Sequence, residues 1–539
     1  MRLVLLLLAA AAAPASIAAQ RPGDGVARAV RADVLRGHME FLASDALEGR
    51  GTGTRGGEIA AKYVAAQFER LGLQPAGDSG TWFQRIPLTG RRFTSSLGVA
   101  GSRALTIGTD FVAYIPGSAD SAQVTADVAF AGYGIVAPEE GWDDYRGVDV
   151  TGKIVLMIVG TPGDQDTTLF RHPARPDYGF RQYKVDEAAR HGAVGAFVIY
   201  RQPYQASWLM IADAWQGEQL VLGDRDAGER AARVAGWINE PAARSLVASA
   251  GEDLDRLAAA AARPGASAVP LKLTLAAAAQ GRTRVVPTVN VVGRLAGRSR
   301  STEAVLLGAH YDHLGIGRAV AGDSIYNGAL DNASGTAGML AIAEAFVAAG
   351  ARPDRSVLFV AFGAEEAGLL GSAAFVAGPP LPLTQLSAML NLDGLNVLAD
   401  TRDISALGAD LSSLGDVFRA AAAAEGYAIT DRHSPILQEA VQQGFFSRSD
   451  QASFARAGVP VAFLFFGDRV GTGPPGSGKE RLDDYLQHRY HQPNDDLHQS
   501  LDYAAAAHSL RVFARTLLAT ANAPEPARWK NDSPYQRAH

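Results

Sequence analysis

Ala304-Val-Leu-Leu-Gly-Ala-His310-Tyr-Asp312 and Val357-Leu-Phe-Val-Ala-Phe362-Gly-Ala-Glu365-Glu366 share one plan: a short apolar run, then residues that can ligate a cation or carry a proton. An apolar run without polar interruption is the pattern of a strand covered on both faces, as in a parallel sheet between helices. Val285 to Val292, Leu386 to Leu392 and Val459 to Phe466 read as further strands, and Gly335 to Ala349 reads as a helix. Strand and helix in alternation predict an α/β fold with a largely parallel sheet. Such sheets carry their sites beyond the carboxyl ends of the strands, which is where these charged residues fall.

Each candidate has its own chemical reason. In His310-Tyr-Asp312 the imidazole offers a neutral ligand nitrogen, and a carboxylate two residues on can accept its other N–H and fix the tautomer. Asp331, in Asn327-Gly-Ala-Leu-Asp-Asn-Ala-Ser-Gly335, sits before a helix; there a carboxylate can bridge two cations, or simply cap the helix. Glu365 and Glu366 repel each other, so a cation or a solvated loop must tolerate them, and one can ligate while the other stays free as a base. Asp393 ends the apolar run Ala388-Met-Leu-Asn-Leu392, where an unpaired buried charge is costly. His491 lies in the polar loop Tyr490-His-Gln-Pro-Asn-Asp-Asp-Leu497. His313, His488 and His498 are nearby, and residue chemistry alone does not choose among the four.

Outward from this core, the 539 residues predict two or three domains, and a net charge of -6 with dispersed Arg gives no basic footprint for nucleic acid. Arg2, the apolar run Leu3 to Ala13 and the small residues through Ala19 have the anatomy of a secretory signal, so residues 1–19 are expected to be removed on export to the periplasm or medium. No other segment is long and apolar enough to span a membrane. With no Cys there is no disulfide framework. Residues 20–115 are expected to be the N-terminal part of the main domain, 116–280 a β-rich insertion, 281–525 the main part with the site, and 526–539 a frayed tail. The Gly-rich stretch Glu48 to Gly57 lacks P-loop spacing and reads as a flexible connection.

From about Leu35 to Arg85 and again from Val285 to Leu518 the chain resembles the M28 zinc metallopeptidases, on Gly308-Ala-His-Tyr-Asp-His-Leu-Gly315, Gly328-Ala-Leu-Asp-Asn-Ala-Ser-Gly335, Phe362-Gly-Ala-Glu-Glu-Ala-Gly-Leu-Leu-Gly-Ser372, Asn391-Leu-Asp393 and Tyr490-His-Gln-Pro493, all in the family's order. The resemblance implies a phosphorylase/hydrolase-like fold and two zinc ions, with manganese or cobalt as possible substitutes. It implies that Asp331 bridges the ions, that His310 and Asp393 hold one and Glu366 and His491 the other, that Glu365 is the general base, and that Asp312 orients His310. Gln451 departs from the pattern, since relatives often have His there. Ala131-Gly-Tyr-Gly-Ile135, Asp144 to Ile154 and Lys184 to Tyr200 resemble the protease-associated (PA) domain, whose expected role is to narrow the pocket. The implied activity is an exopeptidase acting on peptide N-termini, with Asp450 or a ligand carboxylate holding the substrate amine. A metallocarboxypeptidase, a glutaminyl cyclase and a non-catalytic peptide-binding relative are the alternatives. Oligomeric state is left open.

Overall fold

The computed structural model describes residues 23–536 apart from 103, 165, 167, 168, 171–177, 203–206, 224–231 and 532. The expected signal segment, residues 1–19, lies outside the described residues.

The fold is mixed α/β, with helices on both faces of a sheet whose centre is parallel. In spatial order the strands of the main domain are Ala428–Ile429, Asp403–Leu407, Val461–Phe465, Leu386–Asn391, Arg300–His310, Arg355–Phe362 and Val269–Leu295. The four from Val461–Phe465 to Arg355–Phe362 run parallel. Asp403–Leu407 and Val269–Leu295 flank them antiparallel. Alternation along each central strand divides its side chains between two cores. Val305, Leu307 and Ala309 join Val357, Phe359 and Ala361 on one face, beneath the helices Gly335–Ala348 and Tyr503–Asn522. Ala304 and Leu306 join Leu358, Val360 and Phe362 on the other, where Phe375 of the helix Leu370–Ala377 packs. The chain leaves Arg300–His310 over one face to reach Arg355–Phe362, then crosses back over the opposite face to Leu386–Asn391. The carboxyl end of Arg300–His310 thus lies where the crossovers diverge, the place where open α/β sheets form a crevice.

The strand expected over Val285 to Val292 is part of a much longer one, Val269–Leu295. It pairs antiparallel with Phe83–Val99 from Phe83↔Val291 to Val99↔Leu275. This ribbon runs out of the main domain into a second lobe, whose strands follow in the order Ser121–Phe130, Ile154–Ile158, Gly195–Ile199, Val234–Ile238 and Phe111–Tyr114. That lobe has its own cores on the two faces of its strands. The connection is a continuous two-stranded ribbon, hydrogen-bonded throughout.

The C-terminal residues differ from the expectation of fraying. Lys530 N donates to Leu411 O (2.9 Å) and Ser413 N to Arg528 O (2.9 Å), and the Tyr535 ring packs on Phe446 and Trp529. Two large aromatic side chains in an otherwise polar tail have enough apolar surface to dock it. Among the described residues no helix is long and apolar enough to cross a membrane.

Candidate metal centre

His310 is the last residue of its strand and is buried. Its Nδ1 lies 3.2 Å from the backbone oxygen of Asp312, nearer than the 3.8 Å to the Asp312 carboxylate. A carbonyl can only accept, so Nδ1 carries the hydrogen and Nε2 is the nitrogen left to ligate. Asp312 therefore orients His310 through its backbone. The carboxylate also accepts from Thr52 Oγ1 (2.8 Å) and Glu365 N (3.1 Å), joining the His310 loop to the glutamates.

Asp331 does not cap the following helix. That task falls to Asn332, whose Oδ1 accepts from Gly335 N (2.8 Å) and Gly394 N (3.2 Å) while its Nδ2 donates to Leu392 O. The Asp331 carboxylate is left to face the site: Oδ1 is 3.4 Å from His310 Nε2 and Oδ2 is 3.2 Å from His491 Nε2. Each imidazole has a second carboxylate beside it, Asp393 at 3.2 Å from His310 Nε2 and Glu366 at 3.2 Å from His491 Nε2. Glu365 stands further off, at 3.9 Å from His310 Nε2.

The four histidines are now distinguishable. His488 and His498 are exposed and pair with Asp484 and Asp496. His491 takes a left-handed backbone (φ 56°) that turns it into the site. His313 is buried with Nδ1 2.6 Å from Glu366 Oε1, so it fixes the rotamer of that glutamate; residue chemistry had given it no distinct place. Ligand atoms of His310, Asp331 and Asp393, of His310, Glu365 and Glu366, and of His313, Asp331 and Glu366 cluster within 4.8 Å of one another.

Two other residues of the site were not singled out by the sequence. Asp495 accepts from Leu330 N and Asp331 N, both at 3.0 Å, and so ties the His491 loop to the Asp331 loop. In Asn494-Asp-Asp-Leu497 nothing marks it off from Asp496. Arg50 is fully buried below the ligand loops, although the surrounding Gly-rich stretch reads as flexible.

Burial and crowding set the charges. Burial opposes the Asp331 charge, but the imidazoles of His310 and His491 beside it hold its carboxyl well below the usual range. Burial likewise opposes the charge on Glu366, yet despite nearby Asp331, His491 and His313 bring its carboxyl down to about 2. Burial works against charge on both ligand imidazoles, but Glu365 and Asp393 push His310 well above the ordinary histidine value, and Glu366 and Asp331 push His491 up to about 10. Glu365 is raised well above the carboxylate range, first by burial and then by Asp393, Glu366 and Asp450, against His310. One carboxylate kept charged beside another poised to hold a proton is the division of labour acid–base chemistry requires.

The donor set fits divalent metal. Buried His491 Nε2 makes no directed hydrogen bond although two carboxylates lie 3.2 Å away, which is how a ligand nitrogen waits for a cation. Mixed imidazole and carboxylate donors without thiolate suit zinc.

Above these residues opens a cavity of ≈ 1010 Å³ with Asp331, Glu365, Glu366, Asp393 and His491 on its floor. The second lobe contributes Phe180, Arg181, Tyr183 and Trp237 to its wall, and the tail contributes Tyr535. Asp450, the other candidate receptor for a substrate amine, is fully buried, with its neighbours Ser449 and Ala452 lining the cavity. Gln451 is buried too, accepting from Asn391 Nδ2 (2.7 Å) and donating to Phe446 O (2.7 Å), so the position that departs from the family pattern braces the strand end that leads to Asp393.

Residues 290–517 match the Peptidase family M28 model, and every candidate ligand lies inside that stretch. The region that carries the site is therefore similar to M28 peptidases. The chain is 25% identical over 258 residues to a probable glutamate carboxypeptidase AMP1 of Arabidopsis thaliana, covering 46% of this chain and 35% of that one. It is 30% identical over 163 residues to a vacuolar membrane protease of Eremothecium gossypii, covering 29% of this chain and 13% of that one. The chain thus spans at most about a third of the length of these curated relatives. In three dimensions it resembles an aminopeptidase from Aneurinibacillus sp. strain AM-1, with a TM-score of 0.53 and 18% identity over 94% of this chain and 97% of the other, a likeness of fold.

Proposed function

We propose that this protein is an exported exopeptidase of the M28 type that uses two zinc ions to remove residues from peptide N-termini. The observation that carries the reading is the shared carboxylate: Asp331 turns one oxygen to His310 and the other to His491, and each histidine has a carboxylate of its own, Asp393 or Glu366. This supports two ligand sets joined at Asp331, with His310 and Asp393 in one and Glu366 and His491 in the other. Manganese or cobalt would suit the same donors. The ions, when bound, would polarise the scissile carbonyl and acidify water.

The remaining work falls to the chain. Glu365 belongs to neither set, and burial raises the proton affinity of its carboxylate, so the carboxylate can take a proton from the attacking water and the resulting acid can deliver it to the leaving amine. Asp312 holds Glu365 through the backbone N–H of that residue. The walls restrict water and substrate length, and the second lobe, read as PA-like over residues 116–280, supplies part of them.

A protonated substrate amine needs a carboxylate partner in a closed pocket, and only the floor carboxylates Asp331, Glu365, Glu366 and Asp393 line it among described acidic residues. Acetylating the N-terminus of a short peptide is therefore expected to lower kcat/KM by roughly 10²-fold or more, while amidating its C-terminus has little effect. The carboxypeptidase reading rests on Arg181, Arg448 and Arg456, which also line the cavity and could meet a C-terminal carboxylate. The opposite pattern in the same assay would favour it. Two zinc ions per chain would count against a glutaminyl cyclase, and turnover of any peptide against a binding protein.

If the second lobe narrows the pocket, Phe180→Ala should raise kcat/KM for long peptides severalfold relative to dipeptides. An unchanged ratio would leave the lobe a passive spacer.

A further inference from the structure

The Glu48 to Thr54 loop has no place in the chemistry just proposed, yet it is built with little freedom. Arg50 and its neighbour Gly49 both take left-handed backbones (φ 51° and 68°), and a Cβ on Gly49 would lie 2.4 Å from Tyr326 O. The Arg50 guanidinium is fully buried and meets four backbone carbonyls, those of Tyr311 (2.8 Å), Leu42 (2.5 Å), Asn327 (2.6 Å) and Gly328 (3.0 Å). No ion pair joins it to a carboxylate among the described residues; burial brings its pKa down to about 10, against the nearby charges of Asp312, Asp331, Asp495 and Glu366, so it stays charged at neutral pH. Two of its acceptors lie just before Asp331 and one just after His310. From the same loop Thr52 Oγ1 donates to the Asp312 carboxylate (2.8 Å), and Arg50 O accepts from His313 N (3.3 Å).

A guanidinium presents its donors in a rigid fork, and an ammonium on a flexible stem cannot span the same set. We propose that Arg50 is a positioning residue that clamps the His310–His313 and Asn327–Asp331 loops in ligand geometry before any metal enters, its fixed positive charge allowing the carboxylates to crowd there. The proposal rests on reading His310 and Asp331 as metal ligands. Carbonyl acceptors suit this task, because they leave the guanidinium charge uncompensated locally and available to the acidic site above it.

The test uses the full-length protein. In the chelator-treated parent, amide hydrogen exchange should show Leu330 and Asp331, which donate to Asp495, protected about 100-fold or more over unstructured chain. In Arg50→Lys those amides should exchange faster while the strand Arg355–Phe362 stays protected. Zinc titrated against a competing chelator should bind this variant about tenfold or more weakly. Unprotected loops in the metal-free parent would overturn the proposal. So would Arg50→Lys binding zinc within twofold of the parent while only its melting temperature falls, since that is what a merely structural arginine would do. Should Arg50→Lys not fold, the exchange of the parent decides. A parent that takes up no zinc yet shows protected loops would sink the ligand reading and leave the clamp standing.

Discussion

Glu365→Gln is expected to bind zinc with the stoichiometry of the parent and to lose roughly 10²- to 10⁴-fold in kcat, the usual worth of a positioned acid–base group. The side chain keeps its size and its backbone N–H still meets Asp312, so the fold has no reason to change. What disappears is the carboxylate that moves the proton. On the energy scale the loss is about 3 to 5 kcal/mol of transition-state stabilisation. Because Glu365 stands 3.9 Å from His310 Nε2, outside the 3.2 to 3.4 Å contacts of Asp331 and Asp393 with that atom, its removal should leave both ions in place. Metal content by atomic emission alongside single-substrate kinetics separates the two effects. A variant as fast as the parent would remove Glu365 as the base, and one that lost an ion would make it a ligand.

The parts of the site that the sequence made legible are those at the ends of buried strands. His310, Glu365, Glu366 and Asp393 each follow an apolar run, and a charged residue after such a run either stands at the sheet edge or needs a partner. Asp331, by contrast, could equally cap a helix by its own local pattern. Only the structure shows that Asn332 fills that role. Histidine chemistry was equally ambiguous, since burial separates His313 and His491 from His488 and His498 and burial depends on contacts distant in sequence. Arg50 was misread for a physical reason: glycines at 49, 51 and 53 suggest freedom, whereas Gly49 is required by close approach of Tyr326 and Gly315. The ribbon was read short because Ala276 to Gly281 has weak strand preference, and pairing with Phe83–Val99 overrides it.

Asp331→Asn should weaken both zinc ions, by ~100-fold or more each, because one carboxylate serves both sets and a substitution in the surrounding hydrogen bonds alone commonly costs 10- to 100-fold. Asn keeps an oxygen for one side but offers a neutral amide on the other, so it cannot present two anionic oxygens to two cations. Asp393→Asn is the control: Asp393 lies beside His310 only, so it should weaken one ion and spare the one held by Glu366 and His491. Direct titration against a chelator of known affinity, with both variants compared to the parent, reads the two ions separately. The carboxylate also matters without metal, since burial opposes its charge and two histidines outweigh that cost to hold it well below the usual carboxylate range. Its stabilising contribution is therefore complete above the ordinary aspartate pKa and lost only as pH falls through the depressed one, and the metal-free variant should melt below the metal-free parent at neutral pH. Retention of either ion at parental affinity in Asp331→Asn would refute the bridge and reduce the site to two neighbouring, independent sets.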